Sequence, residues 1–312
     1  MFICSHISCQ ILNDIANEAI KFSNSGRMAE SKNFNICYNV FESSEGSNPD
    51  LTPIIFLHGM LCSKEMWDNI PQAIADETKR KIYACDARNH GENVHTDVFN
   101  FDLTVEDLLN FMDRKDIPKA ILVGHSMGGM TSIIASIKKP ERVEMIFSVD
   151  VFIKKIPKEM TEKLTQFTTL FANTVRNIPK ETPESEVVKT VVTRLYENFP
   201  EDSDFQKEKE SMMKSKYIFK RKPDGGYDVS FNEDAILKFA KDADQYECVP
   251  DGQFKGPAYF LYGTKSDVQV SKEETNIKMH FPVAKLIAFE GATHSLHIDF
   301  PDKFIKTLLD YL

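Results

Sequence analysis

No apolar run in this 312-residue sequence approaches the roughly 18 residues needed to span a bilayer, so any lipid contact is expected to be peripheral. Paired cysteines are also missing. Cys4, Cys9, Cys37, Cys62, Cys85 and Cys248 are scattered and form no Cys-x-x-Cys unit, which reads as reduced thiols of an intracellular protein. Positive charge is in deficit, with 38 Lys plus Arg against 47 Asp plus Glu, a net charge of -9 and no basic block. That balance favours solubility and argues against nucleic acid or an anionic membrane as the main partner. No internal repeat is present. His58, His90 and His125 fall in separate loops without a carboxylate or cysteine at ligand spacing, so neither a metal nor a cofactor is expected.

What is there suits one large catalytic domain carrying an insertion. Alternation over 34–41 predicts an antiparallel edge strand, and the apolar run 53–57 predicts a buried strand ending at His58-Gly59. Helix over 66–78, strand over 81–86, helix over 103–114, strand over 120–124, helix over 128–138 and strand over 143–150 follow. This alternation predicts an α/β fold with a mostly parallel sheet covered on both faces. From 151 to 250 the composition turns rich in Lys, Glu and Thr. Helical stretches are expected over 157–176, 185–198 and 205–214, a hairpin over 216–231 around Pro223-Asp224-Gly225-Gly226, and a helix capped by Asn232. Strands over 258–263 and 284–289 and a helix over 301–311 complete the pattern. The core is therefore assigned to 31–150 and 251–312, with 151–250 as a mainly helical lid. Residues 1–30 read as an N-terminal extension, disordered or targeting; Asp14 and Glu18 spoil a secretory signal, and arginine is too scarce for a typical mitochondrial presequence.

The pentapeptide Gly124-His125-Ser126-Met127-Gly128 stands between the apolar run Ala120-Ile121-Leu122-Val123 and a helix-like stretch. Strand, sharp turn and helix with glycine on both sides of serine form a context that lifts Ser126 Oγ clear of the sheet and points free helix N–H groups at the same spot. Ser126 reads as a nucleophile. It needs a base, an acid to orient the base, and donors for an oxyanion. His294, in the loop just past the last strand, reads as the base, and His297 as a loop contact. The backbone amides of Met127 and Met60 are the candidate oxyanion donors. The acid lies between Asp150, ending the strand after the nucleophile helix, and Asp267, following the next strand. In the common spacing the acid sits three residues beyond the glycine that ends its strand; Ser266 occupies that place and Asp267 lies one further, which favours Asp150. His294 and Asp299 also spell His-x-x-x-x-Asp, a spacing seen in acyltransferases, but two residue types at one offset carry little weight. Leu164, Phe167, Phe171 and Val175, at helical spacing in the insertion, suit either its core or the lining of an acyl chain.

Residues 53–150 and 257–312 resemble the α/β-hydrolase family, and within it the abhydrolase domain-containing protein 11 group and related small bacterial esterases. The resemblance rests on His58-Gly59, Asp86-Ala87-Arg88-Asn89-His90-Gly91, Gly124-His125-Ser126-Met127-Gly128-Gly129, Ser148-Val149-Asp150-Val151 and Gly291-Ala292-Thr293-His294-Ser295-Leu296-His297. It implies Asp150 as the acid, hydrolysis of carboxylic esters including acylglycerol-type lipids, and often a mitochondrial address in animals, with the cytoplasm as the alternative for an intracellular chain. The expected partner is a small-molecule or lipid acyl ester, and oligomeric state is left open. Thioesterase or amidase chemistry would use the same residues, and a non-catalytic binding protein of this fold is the rival of a different class. Epoxide hydrolases and haloalkane dehalogenases would want aspartate at position 126.

Overall fold

The computed structural model describes residues 34–200, 204–216, 219–245 and 247–312. The extension expected over 1–30, with Cys4 and Cys9, lies outside the described residues, as do two positions of the expected hairpin, 217 and 218. Among the described residues no helix is long and apolar enough to cross a membrane.

The chain builds a seven-stranded sheet. Its first elements are β1 (Tyr38–Phe41), β2 (Ile54–Leu57), α1 (Ile70–Thr78), β3 (Ile82–Cys85), α2 (Phe101–Arg114), β4 (Ala120–His125), α3 (Met127–Lys138) and β5 (Val143–Val149). The insertion contributes α4 (Lys158–Arg176), α5 (Glu184–Tyr196), α6 (Lys209–Lys214), β6 (Phe219–Arg221), β7 (Tyr227–Val229) and α7 (Glu233–Asp242). The chain then returns with β8 (Ala258–Gly263), α8 (Glu274–His280), β9 (Lys285–Phe289), α9 (Leu296–Asp299) and α10 (Pro301–Leu309). Strand order is β1-β3-β2-β4-β5-β8-β9, with β1 antiparallel to β3 and every other pair parallel. This is the expected α/β arrangement.

Why the central strands read as unbroken apolar runs is visible in the packing. Ile55 and Leu57 of β2 and Leu122 of β4 enter a core with Leu108, Phe111, Ile133 and Ile134 from α2 and α3. Their alternates Ile54, Phe56, Ile121 and Val123 enter a second core with Trp67, Ile74, Phe304 and Leu308. Both faces are dry, so strict polar alternation has no place there. Parallel register aligns the strand ends: Leu57 lies beside Gly124, and Gly124 beside Ser148. Loops leaving β2, β4, β5 and β8 therefore gather at one carboxyl edge.

Two expectations needed adjustment. The helix expected over 66–78 is a 3₁₀ turn, Lys64–Trp67, followed by α1, because Asp68 takes φ of +47° and Pro71 sits in the first turn of α1. Helix α8, not anticipated from the sequence, is the crossover that a parallel β8–β9 pair requires; its short helix buries only Ile277 and His280, too weak a pattern to announce itself.

The insertion has its own apolar centre, where Phe171, Val175, Val191, Leu195, Tyr227, Phe231 and Ile236 pack together with Leu61 from the loop after β2. Ala235 of α7 packs on Met127 at the start of α3, which brings the insertion over the turn that carries Ser126. Asn232 caps α7 by accepting the Ala235 amide at 3.3 Å, as its sequence position predicted.

The Asp86 to Gly91 segment braces the same edge. Asp86 is wholly buried and accepts from Lys64 N and Nζ, each at 2.8 Å, and from Glu92 N at 3.1 Å. Arg88 makes a two-point pair with Asp107 at 2.7 and 2.8 Å, with both side chains 2% exposed or less. A Cβ on Gly91 would fall 2.3 Å from the Asp86 carboxyl, and its φ of +62° suits only glycine well. Removing one member of a buried pair strands the other charge. Asp107→Ala is expected to cost about 3–5 kcal/mol, read as a lower urea midpoint at unchanged slope; a midpoint equal to wild type would refute this role for the pair.

Candidate active site

The turn between β4 and α3 forces Ser126 into φ of 50° and ψ of -114°, a region that non-glycine residues rarely enter. Backbone approach explains its glycine neighbours. A Cβ on Gly124 would sit 2.2 Å from Gly128 O, and one on Gly128 would sit 2.2 Å from Leu57 O. The strained residue is pinned on both sides: Ser126 N donates to Val149 O at 3.0 Å, Ser126 O accepts from Met130 N at 2.9 Å, and Gly128 N donates to His58 O at 3.1 Å. Met127 is the first residue of α3, so its N–H has no acceptor within its own helix. Met60, in the turn after β2, lines the same cavity as Ser126 and Met127.

Asp150 follows β5, also at positive φ, 53°, and its side chain is fully buried. Three donors satisfy it. Gly263 N reaches Oδ1 at 2.8 Å, while Oδ2 accepts from Ser266 Oγ and from His294 Nδ1, the latter at 2.7 Å. A carboxylate only accepts, so His294 carries its proton on Nδ1 and leaves Nε2 as the free acceptor. Burial by itself would lower the His294 imidazole; the hydrogen bond and charge of Asp150 lead the opposing effects and hold the group above its ordinary value. Its side chain keeps 28% exposure, toward a cavity of about 500 Å³ that Ser126, Met60, Met127 and His294 all line.

Asp267 is placed otherwise. It also borders the cavity, but its carboxylate is half exposed and pairs with Lys207 Nζ at 3.0 Å. Ser266, one residue earlier in the turn that follows β8, where its amide donates to Gly263 O at 3.2 Å, points inward onto Asp150. Asp299 bonds to Thr293 N at 2.8 Å and Thr293 Oγ1 at 2.7 Å, holding the loop ahead of His294 and not its ring. Met130, Val151, Ile153 and Phe239 wall the cavity, with Leu164 and Phe167 of α4. The four-residue stripe of α4 thus divides: Leu164 faces the cavity, Phe171 and Val175 the insertion's core, and Phe167 touches both.

His58, His90, His125 and His297 are buried close to this edge. His58 Nδ1 donates to Gly59 O at 2.7 Å while its Nε2 accepts from Ala87 N at 2.9 Å. His90 Nδ1 donates to Arg88 O at 2.8 Å. His125 Nε2 donates to His294 O at 3.0 Å, fixing the backbone behind the candidate base. Burial first, then the nearby His294 and His297, push the His125 imidazole well below its ordinary range. His297, expected as a loop contact, is buried between the rings of Trp67 and His125, with centroids 4.9 and 4.7 Å away, and burial pushes it down to about 3. Two buried imidazoles that resist protonation therefore lie behind the candidate base.

Sequence reading missed Glu208 and the part played by Ser266. Glu208 Oε1 accepts from His294 N at 2.8 Å, and its carboxyl borders the cavity. Ser266 carried a signal, since it occupies the common acid position. Glu208 carried none, being one acid among many in a charged insertion.

Residues 52–301 match the family model described as the alpha/beta hydrolase fold. The sn-1-specific diacylglycerol lipase ABHD11 of Danio rerio is 28% identical over 279 residues, spanning 89% of this chain and 82% of that protein. Ethanol acetyltransferase 1 of Eremothecium cymbalariae is 27% identical, spanning 83% of this chain and 74% of the relative. Among solved structures, a marine microorganism esterase superposes with a TM-score of 0.71 at 26% identity, covering 89% of this chain and all of the other.

The Asp150 contact sets a titration. Because the carboxylate favours the imidazolium, the NMR midpoint of His294 is expected above its ordinary value near 6.5, and Asp150→Asn should lower it. The stabilisation this pair gives is present below the unfolded-state value and fades as pH rises through the folded one. A midpoint that Asp150→Asn leaves in place would disprove the coupling.

Proposed function

We propose, from the premise that this chain belongs to the alpha/beta hydrolase fold family, that it is a serine carboxylester hydrolase working through an acyl-enzyme. Ser126 Oγ attacks the acyl carbonyl as His294 Nε2 takes its proton. Asp150 holds the imidazole by Nδ1 and stabilises the cation that forms, without itself accepting the proton. The amides of Met60 and Met127 receive the developing oxyanion, where donors fixed in advance cost no reorganisation. His294 then returns the proton to the leaving alcohol. Water, deprotonated by the same imidazole, releases the acid.

The observation that carries this reading is the bond between Asp150 and His294 at 2.7 Å, made by a histidine that shares its cavity with Ser126. The apolar walls favour an acyl chain over a polar acyl group, and the insertion over 151–250 acts as the lid that supplies Leu164, Phe167 and Phe239 to that wall. Acylglycerol esters are the substrate class supported by similarity to the diacylglycerol lipase. One further outcome is favoured by the likeness to ethanol acetyltransferase: an alcohol in place of water would turn the same acyl-enzyme into an ester.

Turnover of p-nitrophenyl esters tests the nucleophile. Ser126→Ala is expected to lower kcat by roughly 10⁴ or more with the fold intact by circular dichroism. A folded variant retaining wild-type turnover would reject Ser126.

A further inference from the structure

Glu208 joins the insertion to the histidine loop by contacts that can be audited proton by proton. Its Oε1 accepts the His294 amide at 2.8 Å, and its Oε2 lies 3.1 Å from Thr293 Oγ1. Thr293 Oγ1 is also 2.7 Å from Asp299 Oδ2 and 3.2 Å from Ser211 Oγ, and it accepts from Ser295 N at 3.3 Å. Ser211 Oγ in turn contacts Asp299 Oδ1.

Two hydroxyls bring one proton each. The Ser211 proton goes to Asp299 Oδ1. The Thr293 proton goes to Asp299 Oδ2, its shortest contact. None remains for the contact between Glu208 Oε2 and Thr293 Oγ1, nor for the longer approach of the two hydroxyls to each other, and of these two contacts only the first would set an anionic oxygen against a lone pair if Glu208 were ionised. Oε1 is already committed as an acceptor, which leaves Oε2 as the place for a hydrogen.

We propose that Glu208 is a positioning residue that rests as a neutral acid, donating from Oε2 to Thr293 Oγ1 while Oε1 accepts the His294 amide. The insertion thereby fixes the backbone on which the base is mounted. The proposal builds on His294 as the base, and it adds the element that keeps the imidazole in register with Ser126. Burial acts in the same direction. Burial raises the Glu208 carboxyl above its usual range; the His294 charge and amide and the Thr293 hydroxyl draw it back, and Asp299 adds to the rise. Tyr196 of α5 is also near it, and burial together with Glu208 pushes that phenol up. Asp267, beyond β8, acts on His294, and Lys207, beside Glu208 in the chain, is paired with Asp267.

Glutamine reproduces the neutral acid, with an N–H donor toward Thr293 and a carbonyl toward the His294 amide. Alanine removes both, and aspartate is one methylene too short to reach. Glu208→Ala and Glu208→Asp are therefore expected to lose roughly 10- to 100-fold in kcat at little change in KM, the scale of a base displaced by about 1 Å. Glu208→Gln should recover most of that loss and lack the decline in kcat expected of wild type as rising pH ionises the acid. Infrared difference spectra of the wild-type chain against Glu208→Gln should show a protonated carboxyl at neutral pH, a readout that needs no turnover. Fluorophosphonate labelling of wild type separates the two readings: an unlabelled wild type speaks against the serine hydrolase, whereas the infrared band still reports on Glu208. Absence of the protonated band, alanine with wild-type kcat, or glutamine as impaired as alanine would each overturn the proposal.

Discussion

A single buried carboxylate organises the carboxyl edge of the sheet. Asp150 takes donors from Gly263 at the end of β8, from Ser266 just after it and from His294 beyond β9, and so ties its own strand end to two segments distant in sequence. An unpaired carboxylate at that depth would cost several kcal/mol in lost hydration. The pull toward a complete donor set therefore fixes the loop geometry and the imidazole tautomer together. Both Ser126 and Asp150 sit at positive φ at the ends of adjacent parallel strands, strain that the two dry cores on either side of the sheet sustain.

Around this anchor the site is divided by polarity. The sheet edge supplies the polar groups, Ser126, Asp150, Ser266 and His294, while α4 and α7 of the insertion supply apolar wall through Leu164, Phe167 and Phe239. Such a division suits an ester whose acyl chain is apolar and whose carbonyl alone needs charge stabilisation. His125 and His297, both driven neutral by burial, keep competing positive charge away from the imidazole above them.

Much of this was legible before any coordinates. The turn at Ser126 was readable because backbones that approach to van der Waals distance at Gly124 and Gly128 exclude any side chain, and that leaves glycine in the sequence. Alternating strands and helices, the Asn232 cap and the loop carrying His294 follow from local chemistry in the same way. Less was legible where the cause lies across space. The break at Asp68 is a backbone choice that no residue type demands, and α8 exposes too much of its surface to show a stripe. The competition between Asp150 and Asp267 turned on a one-residue offset that sends Ser266 inward and Asp267 out to Lys207. Glu208 was invisible because its partners, His294 and Thr293, are more than eighty residues away.

Exchange of each carboxylate for its amide isolates the anchor most directly. Steady-state kcat/KM on a short-chain ester should fall by about 10⁴ in Asp150→Asn, where the imidazole loses its orienting charge, and stay within a few-fold of wild type in Asp267→Asn. Crippled Asp267→Asn beside an active Asp150→Asn would contradict the account.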